Sequence, residues 1–516
     1  PIEIGPHTLN LRGGGLLATR IEMRDSSGLI VNHPGSTLVL SNQAAILGSG
    51  GVGGRLLNLG TLRSTATTAV TRFDDVSLRN IGHLDIASGT TRVGNFENEG
   101  LTDIARGATL MLAARSRAGV SSGFTGAGNL EFGEFDASTR RLSRADAEIR
   151  GDLRTTGNLT LVAGTLTLSK PLVRTSAPVT LHNAGTLQLL APSRIASLDM
   201  VDGNLSANSD TDIGTLTLGS RADIRISTRI RVSGDARIGQ GLDALGSGIL
   251  EFAGTTVVSN GTQSGGAYVG NATILNTGTW RQAINSSQGS FLARVNENDQ
   301  PGTGAFENTG LFEMTTERPF GIQLPFRNRG RMVLARAQVS IDARTSSLPP
   351  RSGAYLPHPG AELVLNNTTL DHSGAGTLDL TAGTLRGVGT IHTVGAGPAP
   401  KVINRAVIRV GDPLGTLIIR ATGGFEQTAS GELVISIGPA GNGLLRLDRT
   451  GATLGGTLRI ELLDGFTPAI GQSFSVVSYA ARTGEFANLQ LPSPGPGRRF
   501  EVVYTVSSVN LRVVAE

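Results

Sequence analysis

Asn276-Thr277-Gly278-Thr279-Trp280 is the stretch whose reading decides the fold. Asn-X-Gly followed by alternating apolar residues recurs through the chain: Asn58-Leu59-Gly60-Thr61-Leu62, Asn183-Ala184-Gly185-Thr186-Leu187, Asn308-Thr309-Gly310-Leu311-Phe312 and Asn328-Arg329-Gly330-Arg331-Met332. Each predicts a tight bend and then a short strand that turns every second side chain inward. The expected reason for glycine at Gly60, Gly185, Gly278, Gly310 and Gly330 is a backbone angle with φ > 0, which the neighbouring asparagines also tolerate.

The bends are spaced like the turns of a coil. Asn58 to Asn80, Asn80 to Asn98 and Asn308 to Asn328 are 22, 18 and 20 residues. An irregular repeat of about 20 residues is one turn of a solenoid built from two or three short strands. Parallel crossovers are overwhelmingly right-handed, so the expected fold is all-β, a right-handed parallel β-helix. The bend asparagines Asn58, Asn183, Asn276, Asn308 and Asn328 are then expected to bond to their counterparts one coil away, as amide ladders do in stacked strands.

Composition agrees. Gly, at 71 of 516 residues, is about twice the usual share of roughly 7%. Aromatics make up only 4%, which suits a core one side chain deep. The net charge is +4 and Lys170 and Lys401 are the only lysines, the other basic residues being arginines interspersed with acids. Arg140-Arg141 and Arg498-Arg499 are too short for a nucleic-acid footprint, so no nucleic-acid partner is expected. The absence of cysteine excludes disulfides, thiol catalysis and Cys-ligated zinc. No apolar run is long enough for a transmembrane helix. The chain opens on Pro1 without a signal peptide, and an export segment upstream of it is expected.

Along the chain, the coils span 1–400, with insertions expected near 113–157, 285–304 and 346–360. Thr139–Ile149 reads as a short helix or an excursion between coils. The segment 401–516 reads as the β-helix end and a β-rich capping module. Here the texture changes: Gly387-Val388-Gly389-Thr390-Ile391, Asp412-Pro413-Leu414-Gly415-Thr416-Leu417, Gly456-Thr457-Leu458-Arg459-Ile460 and Gly465-Phe466-Thr467-Pro468-Ala469-Ile470-Gly471-Gln472-Ser473-Phe474. From about Gly374 to Glu516 the sequence resembles the C-terminal part of autotransporter passengers and related exported bacterial β-helix proteins of the pectin-lyase-like kind. The resemblance implies export and a right-handed β-helix, and it brings no catalytic residues. It departs from the family in that no membrane β-barrel follows, which leaves export route and anchor open.

The sequence carries no catalytic constellation of spaced residues. The histidines (His7, His33, His83, His182, His358, His372, His392) share no ligand spacing, although His372 and His392 could stack on adjacent coils. Gly119-Val120-Ser121-Ser122-Gly123 matches G-x-S-x-G without the strand–elbow–helix context. Gly48–Gly53 likewise matches G-x-G-x-x-G without a βαβ unit. Asp210-Thr211-Asp212 and Asn296-Glu297-Asn298-Asp299 carry oxygen ligands but lack a calcium-binding repeat. Asp74-Asp75, and Glu131 with Glu134, are the candidate acid pairs for glycoside cleavage. No catalytic, cofactor-binding or metal-binding residue is assigned.

The expected role is that of a non-enzymatic extracellular or cell-surface structural protein, a β-helical rod serving as adhesin or as a filament, sheath or matrix subunit. Homo-oligomers by head-to-tail or lateral stacking are expected, because solenoid ends present unpaired backbone groups. Surface glycans are a candidate ligand class, with Trp280 read as a core residue rather than a glycan platform. The alternative is a carbohydrate-active β-helix, a polysaccharide lyase or depolymerase, using arginines such as Arg225, Arg229 and Arg231 where lysine is scarce.

Overall fold

The computed structural model describes residues 2–42, 44–48, 53–136, 140–259, 265–283, 290–297, 300–314, 320–335, 338–341, 359–372, 376–393, 399–411 and 414–516. Most of the Gly48–Gly53 corner, most of the 346–360 insertion, Asn298, Asp299 and His358 lie outside them. The described residues are strands and turns with no helix, and none is a helix long and apolar enough to cross a membrane. The chain forms two compact units, Pro1–Ala236 and Arg237–Glu516. The boundary expected after residue 400 falls inside the second.

Each unit is a parallel β-solenoid. In the first, a coil consists of three short strands, each pairing in parallel with its equivalents above and below. Ile2–Ile4, Arg20–Met23 and Ala45–Gly48 stack in one sheet. Thr8–Leu11, Leu29–Asn32 and Arg55–Asn58 stack in a second, and Gly14–Leu17, Thr37–Leu40 and the start of Thr61–Asn80 in a third. The fold class expected from the repeat, a right-handed parallel β-helix, is the one found.

Alternation builds the core. Leu110, Leu130, Leu159, Val179, Leu198 and Leu216 occupy one register column on successive coils, each at most 1% exposed. In the second unit Thr256, Trp280, Phe312, Met332, Leu363, Leu385, Ile408, Leu433 and Leu458 form the equivalent column. Trimming one such leucine to alanine costs about 2–5 kcal/mol in a close-packed interior.

Antiparallel pairs interrupt the regular winding at several places, including Asn296–Glu297 with Gln300–Pro301 and Ile437–Gly438 with Gly441–Asn442. Glu134–Asp136 and Arg141–Ser143 form an antiparallel hairpin that leaves the coil. Arg140–Ser143 thus belongs to an excursion rather than a helix, with Arg140 at φ 53°, and Ala147–Ile149 rejoins the coil as a parallel strand. Near the C-terminus Ser473–Ser478 pairs antiparallel with Ser508–Ala515, which pairs antiparallel with Arg498–Tyr504.

Candidate functional site

The recurring bends divide into two kinds. In the first, asparagine ends a strand, and alternation turns it inward two residues after an apolar side chain: Leu56 then Asn58, Leu78 then Asn80, Phe96 then Asn98. Register stacks Asn32, Asn58, Asn80 and Asn98 on successive coils, all at most 1% exposed. Each amide donates one N–H to the next Oδ1, at 2.7, 2.7 and 2.8 Å. The second N–H reaches the carbonyl three residues beyond that next asparagine: Thr61, His83 and Leu101, at 2.9–3.0 Å. Asn276, Asn308 and Asn328 repeat the arrangement at 2.7 Å, and Asn404 does so with Gln427. Both donors of a buried amide are thereby satisfied.

The ladders are directional, with oxygen toward the preceding coil and nitrogen toward the following one. Their ends show it: among the described residues Asn32 Oδ1, Asn276 Oδ1 and Asn98 Nδ2 lack a hydrogen-bond partner. The coil before Asn32 presents Leu11 and the coil after Asn98 presents Ala118.

The glycines of these bends are required for a different reason from the one expected. None of Gly60, Gly82, Gly278, Gly310 or Gly330 has a positive φ. What excludes a side chain is the coil below. A Cβ on Gly82 would lie 2.2 Å from the Gly60 carbonyl oxygen, and one on Gly310 would lie 2.1 Å from that of Gly278. Those same carbonyls accept the N–H of His83 and Leu311, at 2.9 and 2.8 Å. Glycine here permits close stacking of backbone on backbone.

Asn183-Ala184-Gly185 is the second kind, and it departs from the expected ladder. Asn183 and Ala184 take the left-handed conformation, at φ 47° and 57°, while Gly185 does not. Asn183 is exposed, and its backbone N–H bonds to the Asp202 carboxylate on the next coil. Gly185 closes the turn on the His182 carbonyl at 2.7 Å.

The outer faces are laced by ion pairs between coils. Arg79 meets Glu99 at 3.0 Å, Arg281 meets Glu313 at 2.9 Å, and Arg420 meets Asp448 at 2.8 Å. In the second unit Arg409 grips both Glu461 oxygens, while Arg459 lies 3.0 Å from Glu432 and 3.5 Å from Glu461. These contacts hold the Glu461 carboxyl below the usual range, the Arg409 hydrogen bond being the main cause. Arginine-rich composition therefore yields a balanced surface along these stretches.

The acid pairs resolve differently from one another. Asp74 and Glu134 are both bound by Arg92, whose Nε lies 2.7 Å from Glu134. Glu131 stands half-buried in the column Arg72, Arg92, Met111, Glu131. Burial, and then the charge of Glu134, raises its proton affinity. Among the described residues no three His, Cys, Asp or Glu side chains gather as a metal site. His372 and His392 do lie on adjacent coils, joined by a backbone bond of 2.8 Å. Yet His372 is buried, with Nδ1 3.1 Å from the Gly376 carbonyl, while His392 faces Asp371 at 3.9 Å. Ser121 and Ser122 of the G-x-S-x-G match form a coil corner, with Ser122 Oγ donating to the Gly119 carbonyl at 2.7 Å.

Trp280 is fully buried. It packs edge-on against Phe252 and Phe306 at 5.3 and 5.1 Å, and its Nε1 donates to Gln282 Oε1 at 3.0 Å. It cannot serve as a sugar-stacking platform.

No family model and no curated protein matches the chain. Among solved structures, the crystal structure of the Haemophilus influenzae Hap adhesin is similar at 10% identity and a TM-score of 0.27. That match covers 94% of this chain and 64% of the adhesin chain. At so low a score the β-helix rests on the parallel register itself, not on this likeness.

Proposed function

We propose that the chain is an exported, non-enzymatic bacterial β-helix acting at the cell surface, as an adhesin or as the subunit of a filament, sheath or matrix. The observation that carries this reading is how the polar groups are used. Amides are consumed in buried ladders, and one acid of each candidate pair, Asp74 and Glu134, is clamped by Arg92. Their function there is to join coils. The resemblance of 374–516 to exported β-helix proteins supports the location.

The competing reading, a lyase or depolymerase, draws on Glu131, a carboxyl whose proton affinity is raised by burial and by the charge of Glu134. Incubating the purified chain with acidic polysaccharides, with and without Ca²⁺, separates the two. The expected result is unchanged polymer length, together with attachment of the chain to glycan-coated surfaces or growth of filaments seen by electron microscopy. Release of oligosaccharides that is lost in Glu131→Gln would overturn the proposal.

A further inference from the structure

One sheet of the first unit is interrupted within an otherwise continuous ladder. Asp152–Leu153 pairs with the coil before it, at Gly123 and Phe124. Val173–Arg174 pairs with the coil after it, at Arg194 and Ile195. The two do not pair with each other. At this break the walls part into a cleft of about 330 Å³, at the lower end of the roughly 300–1,000 Å³ typical of small-ligand sites.

Arg174 fills the floor of the break. It is 3% exposed, and its guanidinium donates to the Thr155 carbonyl at 2.5 Å, to Thr155 Oγ1 at 3.2 Å and to the Gly157 carbonyl. Two of these acceptors are backbone carbonyls and one is a side-chain hydroxyl. All three partners are neutral, so no carboxylate balances the buried charge. Burial without an acid partner lowers its affinity for the proton. Such a charge is costly unless an anion approaches.

The rim points the same way. Asp152 is shared by Lys170 at 2.7 Å and Arg154 at 2.7 Å. The cleft therefore sets three cations, Arg154, Lys170 and Arg174, against one carboxylate. Facing them are Thr155, Thr156, Thr175 and Ser176, whose hydroxyls suit a hydroxylated ligand. The backbone N–H groups of Thr175 and Ser176, outside the strands, find no acceptor among the described residues. Elsewhere along the faces of this unit, pairs such as Arg79–Glu99 and Arg63–Asp85 join coils cation to acid. Surplus positive charge beside free donors is an anion site.

We infer that the cleft between residues 152–157 and 170–177 binds a carboxylate or sulfate group carried on a sugar, the anionic unit of an acidic glycan. The choice of a sugar as carrier rests on the surface-acting role proposed above; the choice of an anion rests on the cleft alone.

Isothermal titration of the full chain tests this with three probes of matched length: oligogalacturonate, a sulfated oligosaccharide and a neutral oligosaccharide. Binding is expected for one or both acidic probes and not for the neutral one, the pair distinguishing carboxylate from sulfate. It should weaken severalfold between about 0.05 and 0.5 M salt, as the screening length contracts. Lys170→Gln and Arg154→Gln, both at exposed positions, should each weaken it about tenfold with an unchanged thermal midpoint. Equal binding of the neutral probe, no binding of any probe, or variants that bind like the parent would overturn the assignment and leave Arg174 as a brace between coils. Binding accompanied by shortening of the probe would instead sink the non-enzymatic role and leave the cleft intact. Absence of binding in a chain that still attaches to surfaces would sink the cleft alone.

Discussion

Two corners of the first unit, Asn80-Ile81-Gly82 and Asn183-Ala184-Gly185, share a sequence pattern and differ in structure. Both asparagines come two residues after an inward leucine, Leu78 or Leu181, and three before the start of the next strand, at His83 or Thr186. Asn80 is buried between Asn58 and Asn98 and uses its whole amide. Asn183 lies in solvent in a left-handed turn. The difference lies in the neighbouring coils. Around Asn183 the coil below carries Ala163 and the one above carries Asp202, so an inward amide would have no partner of its own kind. A buried amide has three hydrogen-bonding positions to satisfy, at about 1–3 kcal/mol for each group left unmade, against the strain of two left-handed residues, one of them an asparagine, which tolerates that conformation. The ladder is thus a property of the stack, and one asparagine cannot start it alone.

The largest expected effect breaks the ladder in its middle. Asn80→Leu keeps the volume but strands the Asn58 N–H and the Asn98 oxygen. A loss of about 3 kcal/mol is expected, at 1–3 kcal/mol per orphaned group. Hydrogen exchange should locate it to the coils around Asn58–Leu101. Asn183→Ala should cost less than about 1 kcal/mol, the value of an exposed turn residue. Equal losses at the two sites would refute the distinction.

The glycines of the same corners sharpen it. Gly82→Ala drives a Cβ against the Gly60 carbonyl at 2.2 Å, which is backbone and cannot swing aside. Gly185→Ala meets the Leu161 side chain and the His182 carbonyl, each at 2.9 Å. We expect Gly82→Ala to cost about 2–3 kcal/mol and Gly185→Ala about 1–2 kcal/mol, in the range of overpacked interiors. Comparison of denaturant midpoints checks the order. At Asn183 itself, with φ 47°, Asn183→Val should cost about 1–2 kcal/mol through its β-branched left-handed strain, and Asn183→Gly should be nearly neutral.

This contrast also marks how far the sequence could be read. Strand alternation and Asn-X-Gly spacing made the coils legible, because both are local. Membership of a ladder was not legible, since it depends on which residue register places one coil away, and coil lengths vary between 18 and 32 residues along the two ladders. The reason for the glycines was misread for the same cause. A positive φ is a local demand, whereas contact with the Gly60 carbonyl appears only after stacking. Arg174 gave no local signal at all. Its meaning comes from a missing strand pairing between two coils, and no motif records an absence. The hairpin around Arg140 was visible only as a weakening of the repeat.

Acid separates the neutral ladders from the charged faces. Amides do not titrate, so protection around Asn58–Leu101 should persist in mild acid. Arg409 holds the Glu461 carboxyl below the ordinary glutamate value of about 4.3. A depressed folded value means that the pair's contribution is present above about pH 4.3 and is lost as pH falls through the folded value. Thermal midpoints taken from pH 5 to pH 2 should therefore fall more steeply for the parent than for Arg409→Gln. Parallel curves would show that the Arg409–Glu461 contact contributes nothing to stability.

The smallest effect carries the opposite sign. Glu131 is half-buried, and burial, followed by the charge of Glu134, raises its proton affinity in the folded chain. A raised folded value means that the neutral acid is favoured by folding. Its contribution is full below about pH 4.3 and fades as pH rises through the raised value, when a charge must be carried in a poorly solvated place beside another carboxylate. Glu131→Gln keeps the shape and removes the charge. Relative to the parent, the variant should gain stability as pH rises from 4 toward 7, by less than the change read at Arg409. A parent–variant difference that stays flat over that range would mean the Glu131 carboxyl is as well solvated as a free one.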